Sequence, residues 1–416
     1  MSVVKKIPSE DIKNFVMLYS NAYPGMLINT NEEIEKRVSY FTKIQNDSSS
    51  ENFYGLYREG QLLGGMLLHD FKMNFHNKIM NVGGLGSVAV EFLHKKEKVA
   101  KELVEAYLRH YKDRNANLAL LYPFRPDFYM NMGFGYGTKM NQYRLEPGSF
   151  PKSSLRKNVC FLDESDKKNI IDCYNYYVYN HHGMIELKER ESENMFKNPN
   201  LKVVGYKINQ KLEGFMFFSF KPDKSNFLQN DMVIHRLVYN TRDALKGMFS
   251  FLYSQLDQIR HVFINTQEES LYHILQNPMN DSNQIIPPVY HETNTQGVGL
   301  MYRVIDTKGL FMDLKEFNFN HVSCLLKLSI HDNFVEENNK SLYIEFIDGY
   351  AQVTNEKEFD VEISMNIAEF SSLIMGVVSF KSLYDYSLAD ISDISYLEKI
   401  NKLFAFSEKP ICMTGF

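Results

Sequence analysis

The sequence predicts a mixed α+β (α/β) protein built from three consecutive units. Three observations carry that expectation. Residues 81–136 run as a glycine-bearing strand, a basic turn, a helix, an apolar strand and an aromatic-glycine segment. A hairpin pattern at residues 54–71 returns at 203–220. After Val304 the strands come first and the helices follow, the order of an α+β layer with its own core. A chain of 416 residues has room for two or three such domains.

In the first unit, Asn81–Val90 combines small and β-branched residues, as in a buried strand whose backbone is closely approached. Lys95, Lys96 and Lys98 follow, and then Val99, Leu103, Ala106 and Tyr107 recur at helical spacing. Asn117–Tyr122 is a second short apolar strand, and Pro123–Tyr136 closes the unit with aromatic residues and glycines. A strand that feeds a helix with a basic first turn is a seat for phosphate, because free amide N–H groups and the helix dipole favour an anion there. Lysines at that end oppose the dipole, so three clustered there point to a bound anion.

The repeat aligns Tyr54–Phe71 with Val203–Phe220 without gaps. It pairs Tyr57 with Tyr206, Gln61 with Gln210, Leu63 with Leu212, Gly65 with Gly214 and Phe71 with Phe220. Each copy reads as a hairpin, turning at Glu59-Gly60 and at Asn209-Gln210. Asp231–Val238 then supplies a strand, and Ala244, Met248, Leu252 and Leu256 a helix, in the order of the first unit. Here the helix opens with Asn240-Thr-Arg-Asp243, a capping sequence rather than a basic turn. The first copy therefore reads as catalytic and the second as a structural partner that shapes a cleft.

Between them a helical segment, Asp163 to Phe196, breaks near Asn180-His-His-Gly183. Adjacent histidines on a helix point apart, and no third ligand is near, so His181 and His182 read as a helix end and no metal is expected. In the third segment a helix-sized element starts at Ile305. Strands follow at Ser323–Ile330, Ser341–Ile347, Gly349–Thr354 and Val361–Met365, and helices at Ile367–Met375, Phe380–Tyr386 and Ser392–Leu403.

Composition narrows the function. The net charge of −5 argues against general nucleic-acid binding. No run approaches the roughly 18 apolar residues of a membrane span, and Met1–Lys6 lacks a signal-peptide apolar core. Cys160, Cys173, Cys324 and Cys412 have no metal-like spacing and read as buried, reduced thiols, which predicts a cytoplasmic protein.

The order of Val88-Ala-Val90, basic turn, helix, strand and aromatic-glycine segment resembles the acyl-CoA core of the GNAT acetyltransferases. In that family the Val-x-Val strand precedes a turn, Arg/Gln-x-x-Gly-x-Gly/Ala, that cradles the coenzyme A pyrophosphate. The matching positions are Lys95, Lys98 and Ala100, with lysine in place of the first glycine. Phe128-Tyr129 and Gly133-Phe134-Gly135 resemble the late motif, where a tyrosine faces the CoA sulfur. The third segment resembles the sterol-carrier-like domain that ends the enhanced intracellular survival acetyltransferases. With it the resemblance covers nearly the whole chain: a catalytic GNAT domain over 1–149, a second, degenerate GNAT-like domain over 150–303, and a sterol-carrier-like domain over 304–416.

The resemblance implies transfer of acetyl from acetyl-CoA to a primary amine, typically on an aminoglycoside. It implies that Val88, Ala89 and Val90, with Lys95, Lys96, Lys98, Val99 and Ala100, hold the CoA. It gives Tyr129 the role of acid. A phenol of pKa ~10 can serve a thiolate whose conjugate acid is near ~8.5. It makes the terminal carboxylate, carried on Phe416, the base. It also implies a homo-oligomer, a hexamer. The rival reading, resting on Lys98 and the sterol-carrier-like tail, is a weakly active or non-catalytic ligand-binding protein. A third is acylation of protein lysines or peptide N-termini.

Overall fold

The computed structural model describes residues 2–187 and 189–416. The first stretch carries β1 (Ser2–Lys6), α1 (Ile12–Ala22), α2 (Asn31–Asp47), β2 (Glu51–Arg58), β3 (Gln61–Phe75), β4 (Lys78–Val90), α3 (Val99–Lys112), β5 (Leu118–Leu121), α4 (Pro126–Met130) and β6 (Gly135–Tyr136). The middle carries β7 (Met140–Leu145), β8 (Val159–Phe161), α5 (Lys167–Asn180), α6 (Glu189–Asn194), β9 (Lys202–Ile208), β10 (Lys211–Pro222), β11 (Asn230–Tyr239), α7 (Arg242–Tyr253) and β12 (Ile259–Thr266). A small ribbon of β13 (Ile285–Ile286) and β14 (Tyr290–His291) leads to β15 (Asn294–Gly297) and β16 (Met301–Val304). The last stretch holds α8 (Thr307–Asp313), β17 (Cys324–His331), β18 (Ser341–Ile347), β19 (Tyr350–Thr354), β20 (Val361–Asn366), α9 (Ile367–Ile374), α10 (Phe380–Asp385), β21 (Ala389–Ile391) and α11 (Leu397–Leu403).

Three large sheets result, in the orders β1-β2-β3-β4-β5-β16-β6, β15-β7-β12-β11-β10-β9-β8 and β19-β18-β17-β20-β21. The sheets interlock where the expected boundaries fall. β7 precedes the cut at 149/150 yet pairs with β12 in the second sheet, and β16, at the cut at 303/304, inserts between β5 and β6 of the first. One apolar core joins Phe75, Leu118 and Tyr302 of the first sheet to Phe346, Phe370 and Leu373 of the last unit. At this junction Arg303 and Asp332, both with fully buried side chains, pair at 2.7 Å, and Arg303 Nη1 donates to the Met132 carbonyl at 2.6 Å.

The two hairpins are alike, but one residue out of the register that the ungapped alignment expects. Each turns through two residues in the left-handed region, Glu59-Gly60 and Asn209-Gln210. Each then carries a bulge. Tyr57 pairs with Leu62 and Leu56 with Gly64, just as Lys207 pairs with Leu212 and Tyr206 with Gly214. Superposing the turns matches Gly55 with Gly205, Leu62 with Leu212, Gly64 with Gly214 and Met66 with Met216. The five identities of the ungapped alignment are therefore not structural equivalents. The packing agrees, because a one-residue slip would turn each side chain to the other face. Gly64 lies under Val99 and Leu103 of α3, and Gly214 lies under Ala244 and Met248 of α7.

Other expectations are corrected locally. The segment Asp163–Phe196 is helical over a short 3-10 turn, Glu164–Asp166, and over α5 and α6, with a turn at the His181-His182 break; Lys188 lies outside the described residues. Leu256 falls past the end of α7 and is exposed. Cys160 is exposed, whereas Cys173, Cys324 and Cys412 are buried. The aromatic-glycine segment contains a helical turn, α4, started by Pro126 at its first position.

Candidate active site

β4 and β5 run parallel only from Val82–Leu85 against Leu118–Leu121. β5 then ends, while β4 continues to Val90, so the two strands leave a V-shaped opening. A bulge sits in that extension. Gly65 pairs with Ala89 and Leu67 with Gly86, so Ser87 and Val88 face Met66 alone, with Ser87 at φ 51°. Ala89 is buried, and Val88 and Val90 are half-buried. Just past the end of α1, the Tyr23 hydroxyl donates to the Val88 carbonyl at 2.7 Å, and on α1 the Tyr19 hydroxyl bonds the Ser87 side chain. Burial pushes the Tyr23 phenol up to about 12, with Tyr19 adding to the shift.

The basic turn lies at the mouth of the V. Lys95, Lys96 and Lys98 are exposed, Val99 is buried, and Ala100 is half-buried. Lys98 is the N-cap of α3 and holds φ 65°, the left-handed conformation that glycine adopts freely. Lysine thus keeps the shape that the family's glycine provides, at a conformational cost of roughly 1 kcal/mol. No side chain caps α3. The carboxylates nearby are drawn off: Glu97 by Arg58 at 3.2 Å and His94 at 3.0 Å, and Glu102, in the first turn, by Arg58 at 2.6 Å. The first-turn amides are thus left for an outside acceptor. The second unit differs at this point, because Thr241 caps α7 by accepting from the Ala244 amide at 3.2 Å. Lys95 Nζ stands 3.9 Å over the ring of Phe92.

Tyr129, on α4, is buried among Phe124, Phe128 and Phe134, with ring centroids 5.2–5.9 Å away. Burial pushes its phenol well above the usual value, and the nearby Tyr23 adds to the shift. Tyr129 thereby shares an electrostatic neighbourhood with the hydroxyl that holds Val88. Tyr122 and Tyr136 are placed elsewhere. The Tyr122 hydroxyl donates to the Thr414 carbonyl at 3.1 Å, and Tyr136 is exposed on β6.

The C-terminal tail reaches this site through the second unit. β11 and β12 are parallel up to Ile234 and Ile264 and then diverge around a cavity that both line. The tail lies in that divergence. Together, Ile411–Gly415, Arg236, Gln267, Glu268 and Tyr122 border a cavity of ≈ 210 Å³. The Ile411 amide donates to the His182 carbonyl at 2.9 Å, and the Cys412 amide to Gln267 Oε1 at 2.6 Å. Phe416 then crosses to the first unit. Its ring meets Phe71 at 4.9 Å, Tyr122 at 5.2 Å and His69 at 5.4 Å. Gly84 and Gly86 make the room. A Cβ on Gly84 would lie 2.2 Å from the Phe71 ring, and one on Gly86 would lie 3.4 Å from the Phe416 carbonyl carbon.

The structure therefore gathers Val88, Ala89, Val90 and Phe416 along β4 beyond its pairing with β5, puts Tyr129 within electrostatic reach of Tyr23, and sets Lys95, Lys96, Lys98, Val99 and Ala100 at the start of α3. Sequence reasoning missed Tyr19, Tyr23, Ser87, Glu51, His69 and Gln267. Only His69 carried a usable signal, being two residues from Phe71 on one strand and hence on the same face. His181 and His182 are bound locally. The His181 ring stacks on Tyr177 at 3.7 Å, while His182 is buried against His76 at 3.8 Å, with Nε2 3.2 Å from the Met375 carbonyl. Among the described residues no three His, Cys, Asp or Glu side chains group to hold a metal.

Comparisons with known proteins agree with this layout. The family profile "Acetyltransferase (GNAT) domain" matches residues 3–137, a second profile of that description matches 180–304, and "Sterol carrier protein domain" matches 313–413. No curated protein matches by sequence. Similar solved structures include a GCN5-related N-acetyltransferase from Anabaena variabilis ATCC 29413 (13% identity, TM-score 0.80). Others are a probable N-acyltransferase from Enterococcus faecalis V583 (18%, 0.77) and Eis1 from Mycobacterium abscessus (15%, 0.76). In each pair 100% of both chains is covered, and at such identities the likeness concerns the fold. Two GNAT domains spanning more than half of the chain, closed by a sterol carrier protein domain, make this protein an acyl- or acetyltransferase of the GNAT family with the three-part fold of the enhanced intracellular survival type.

Proposed function

We propose that the protein moves acetyl from acetyl-CoA to a primary amine, of the kind that aminoglycosides carry, by direct transfer at the V between β4 and β5. The observation that carries this reading is the approach of the chain's last residue to β4 at Gly86, next to the bulge at Ser87-Val88. Catalysis then belongs to residues 1–149. The unit 150–303 holds the tail in place of a cofactor, and 304–416 delivers that tail.

Acetyl-CoA supplies the acyl thioester. The uncapped start of α3, with Lys95, Lys96 and Lys98, suits its phosphates, and the capped start of α7 does not. Tyr129 acts on the departing sulfur. Its phenol is held well above a thiol's range, so full proton transfer would be uphill. A hydrogen bond that strengthens as charge grows on sulfur is the effective contribution. The Phe416 carboxylate receives the amine proton. Glu268, at the cavity beside the tail, offers negative charge to a cationic acceptor. On its cysteine usage we place the protein in the cytoplasm, and on the family resemblance as a homo-oligomer, a hexamer.

The test is to titrate acetyl-CoA into the purified protein and follow thiol release with a panel of aminoglycosides. Saturable binding and acceptor-dependent release support the reading. Absence of binding at millimolar acetyl-CoA overturns it in favour of a non-catalytic ligand-binding protein. Tyr129→Phe should lower turnover with little loss of CoA affinity.

A further inference from the structure

We propose that Glu51 and His69 form, with the terminal carboxylate of Phe416, a proton relay that turns this carboxylate into an effective base; the inference rests on the role given above to Phe416. Sheet geometry brings the three groups together. Glu51 on β2 and His69 on β3 are direct cross-strand partners, so their side chains leave the same face. Glu51 Oε1 lies 2.9 Å from His69 Nδ1, and both side chains are only 2% exposed. His69 pairs in turn with Gly84 on β4. A Cβ on the neighbouring Gly86 would sit 3.0 Å from His69 Nε2 and 3.4 Å from the Phe416 carbonyl carbon. One small space, kept open by a glycine, is thus bordered by the far nitrogen of the imidazole and by the carboxyl end of the chain. The Phe416 ring, edge-to-face on His69 and Phe71, holds that end in place.

The chemistry gives this buried pair a purpose. Burying a carboxylate and an imidazole on an apolar face is unfavourable unless they are paired. An α-carboxyl titrates near ~3.5 and holds an ammonium's proton poorly, whereas an imidazole titrates near ~6.5. In the relay, the acceptor ammonium gives a proton to a Phe416 carboxylate oxygen, and that proton passes to His69 Nε2. One N–H bond of the ammonium breaks, one N–H bond forms on the imidazole, and the freed lone pair attacks the acyl carbon. Nδ1 keeps its proton and donates it to the Glu51 carboxylate, whose charge stabilises the imidazolium, as the aspartate of a catalytic triad does. Glu51 faces the imidazole from β2, and the carboxyl end of Phe416 lies across the Gly86 space from its other nitrogen. Tyr122, next to β5, sends its hydroxyl to Thr414, and β4 presents glycines. Glu51 and His69 act through Phe416 and are positioning residues.

The test uses the full-length protein labelled with 15N-histidine, the His69 resonance being identified by its loss in His69→Gln. Extending the chain by two alanines moves the carboxylate away, and should lower the His69 titration midpoint by at least one pH unit. With kanamycin as acceptor, His69→Gln and the shape-preserving Glu51→Gln should each lower kcat at least ten-fold, with KM for acetyl-CoA changed less than two-fold. His69→Gln should also lose the acid limb of the kcat profile. An unmoved midpoint, or unchanged kcat in both variants, overturns the relay. If the extended chain loses turnover while the midpoint stays put, the relay alone fails. If it keeps full turnover, the carboxylate reading fails first.

Discussion

The ring of Phe416 meets the ring of Phe71 at 4.9 Å, edge to face, so the last residue of the chain completes a face of the first sheet. Phe71 stands on β3 beside His69, and the glycines of β4 leave the hollow that Phe416 enters. With His69, Phe71 and Tyr122 around its ring, residue 416 has its own aromatic socket.

From that contact, Phe416→Ala should keep the terminal carboxylate but lose its placement. We expect turnover to fall at least ten-fold and stability to fall by about 1–2 kcal/mol, less than for a fully buried phenylalanine. Steady-state kinetics and urea unfolding, read by circular dichroism, check both. Unchanged turnover would show that the ring does not position the carboxylate.

Lys98 offers a separate test of the CoA turn. Because it sits at φ 65°, Lys98→Gly should stabilise the protein by about 1 kcal/mol. If the α3 amides dominate phosphate binding, the Kd for acetyl-CoA should rise no more than three-fold. Calorimetric titration reads the affinity, and a larger rise would assign the binding to the lysine ammonium.

The Arg303–Asp332 pair ties the first sheet to the last unit in full burial. Asp332→Ala should leave an uncompensated charge there and cost about 3–5 kcal/mol. Denaturant unfolding measures the loss, and a change below about 1 kcal/mol would mean that water reaches Arg303 in the variant.

Stability should also fall in mild acid. His76 and His182 stack at 3.8 Å, and both imidazoles meet carbonyls at the end of α9, Ile374 and Met375. Burial lowers His76 to about 4 and His182 well below its usual 6.5, and His76 adds to the shift of His182. The unfolded chain therefore binds protons near pH 6.5 that the folded chain refuses until about pH 4 or lower. Stability is full above pH 6.5 and declines as the pH falls through that window, by about 1.4 kcal/mol per pH unit for each histidine. Urea midpoints between pH 7.5 and 4.5 read the slope, and His76→Phe should make it shallower. An identical slope in that variant would remove His76 from the account.

Much of this molecule was legible in its sequence because periodicity and turn chemistry are local. The β4–α3–β5 order, the strand ladder from β17 to β20 and the helices α9 to α11 follow from apolar spacing alone. The register of the repeat was not legible. Identical residues favoured one alignment, and the bulges at Leu63 and Glu213, which depend on strand pairing, favoured another. The interlocking of β7 and β16 was hidden for the same reason, since short strands choose partners by what lies beside them.

The site divides in the same way. By itself the sequence determined the types of the candidate site residues: a basic turn before a helix, a tyrosine in an aromatic-glycine segment, small residues on β4, and a phenylalanine at position 416. Only the tertiary structure decided that Lys98 holds a glycine's conformation, that the second unit's divergent strands house the tail, and that His69, backed by Glu51, borders the space at Gly86 that Phe416 also borders. These are relations between residues far apart in the chain. They arise when sheets close and buried groups must find partners, and no local pattern encodes them.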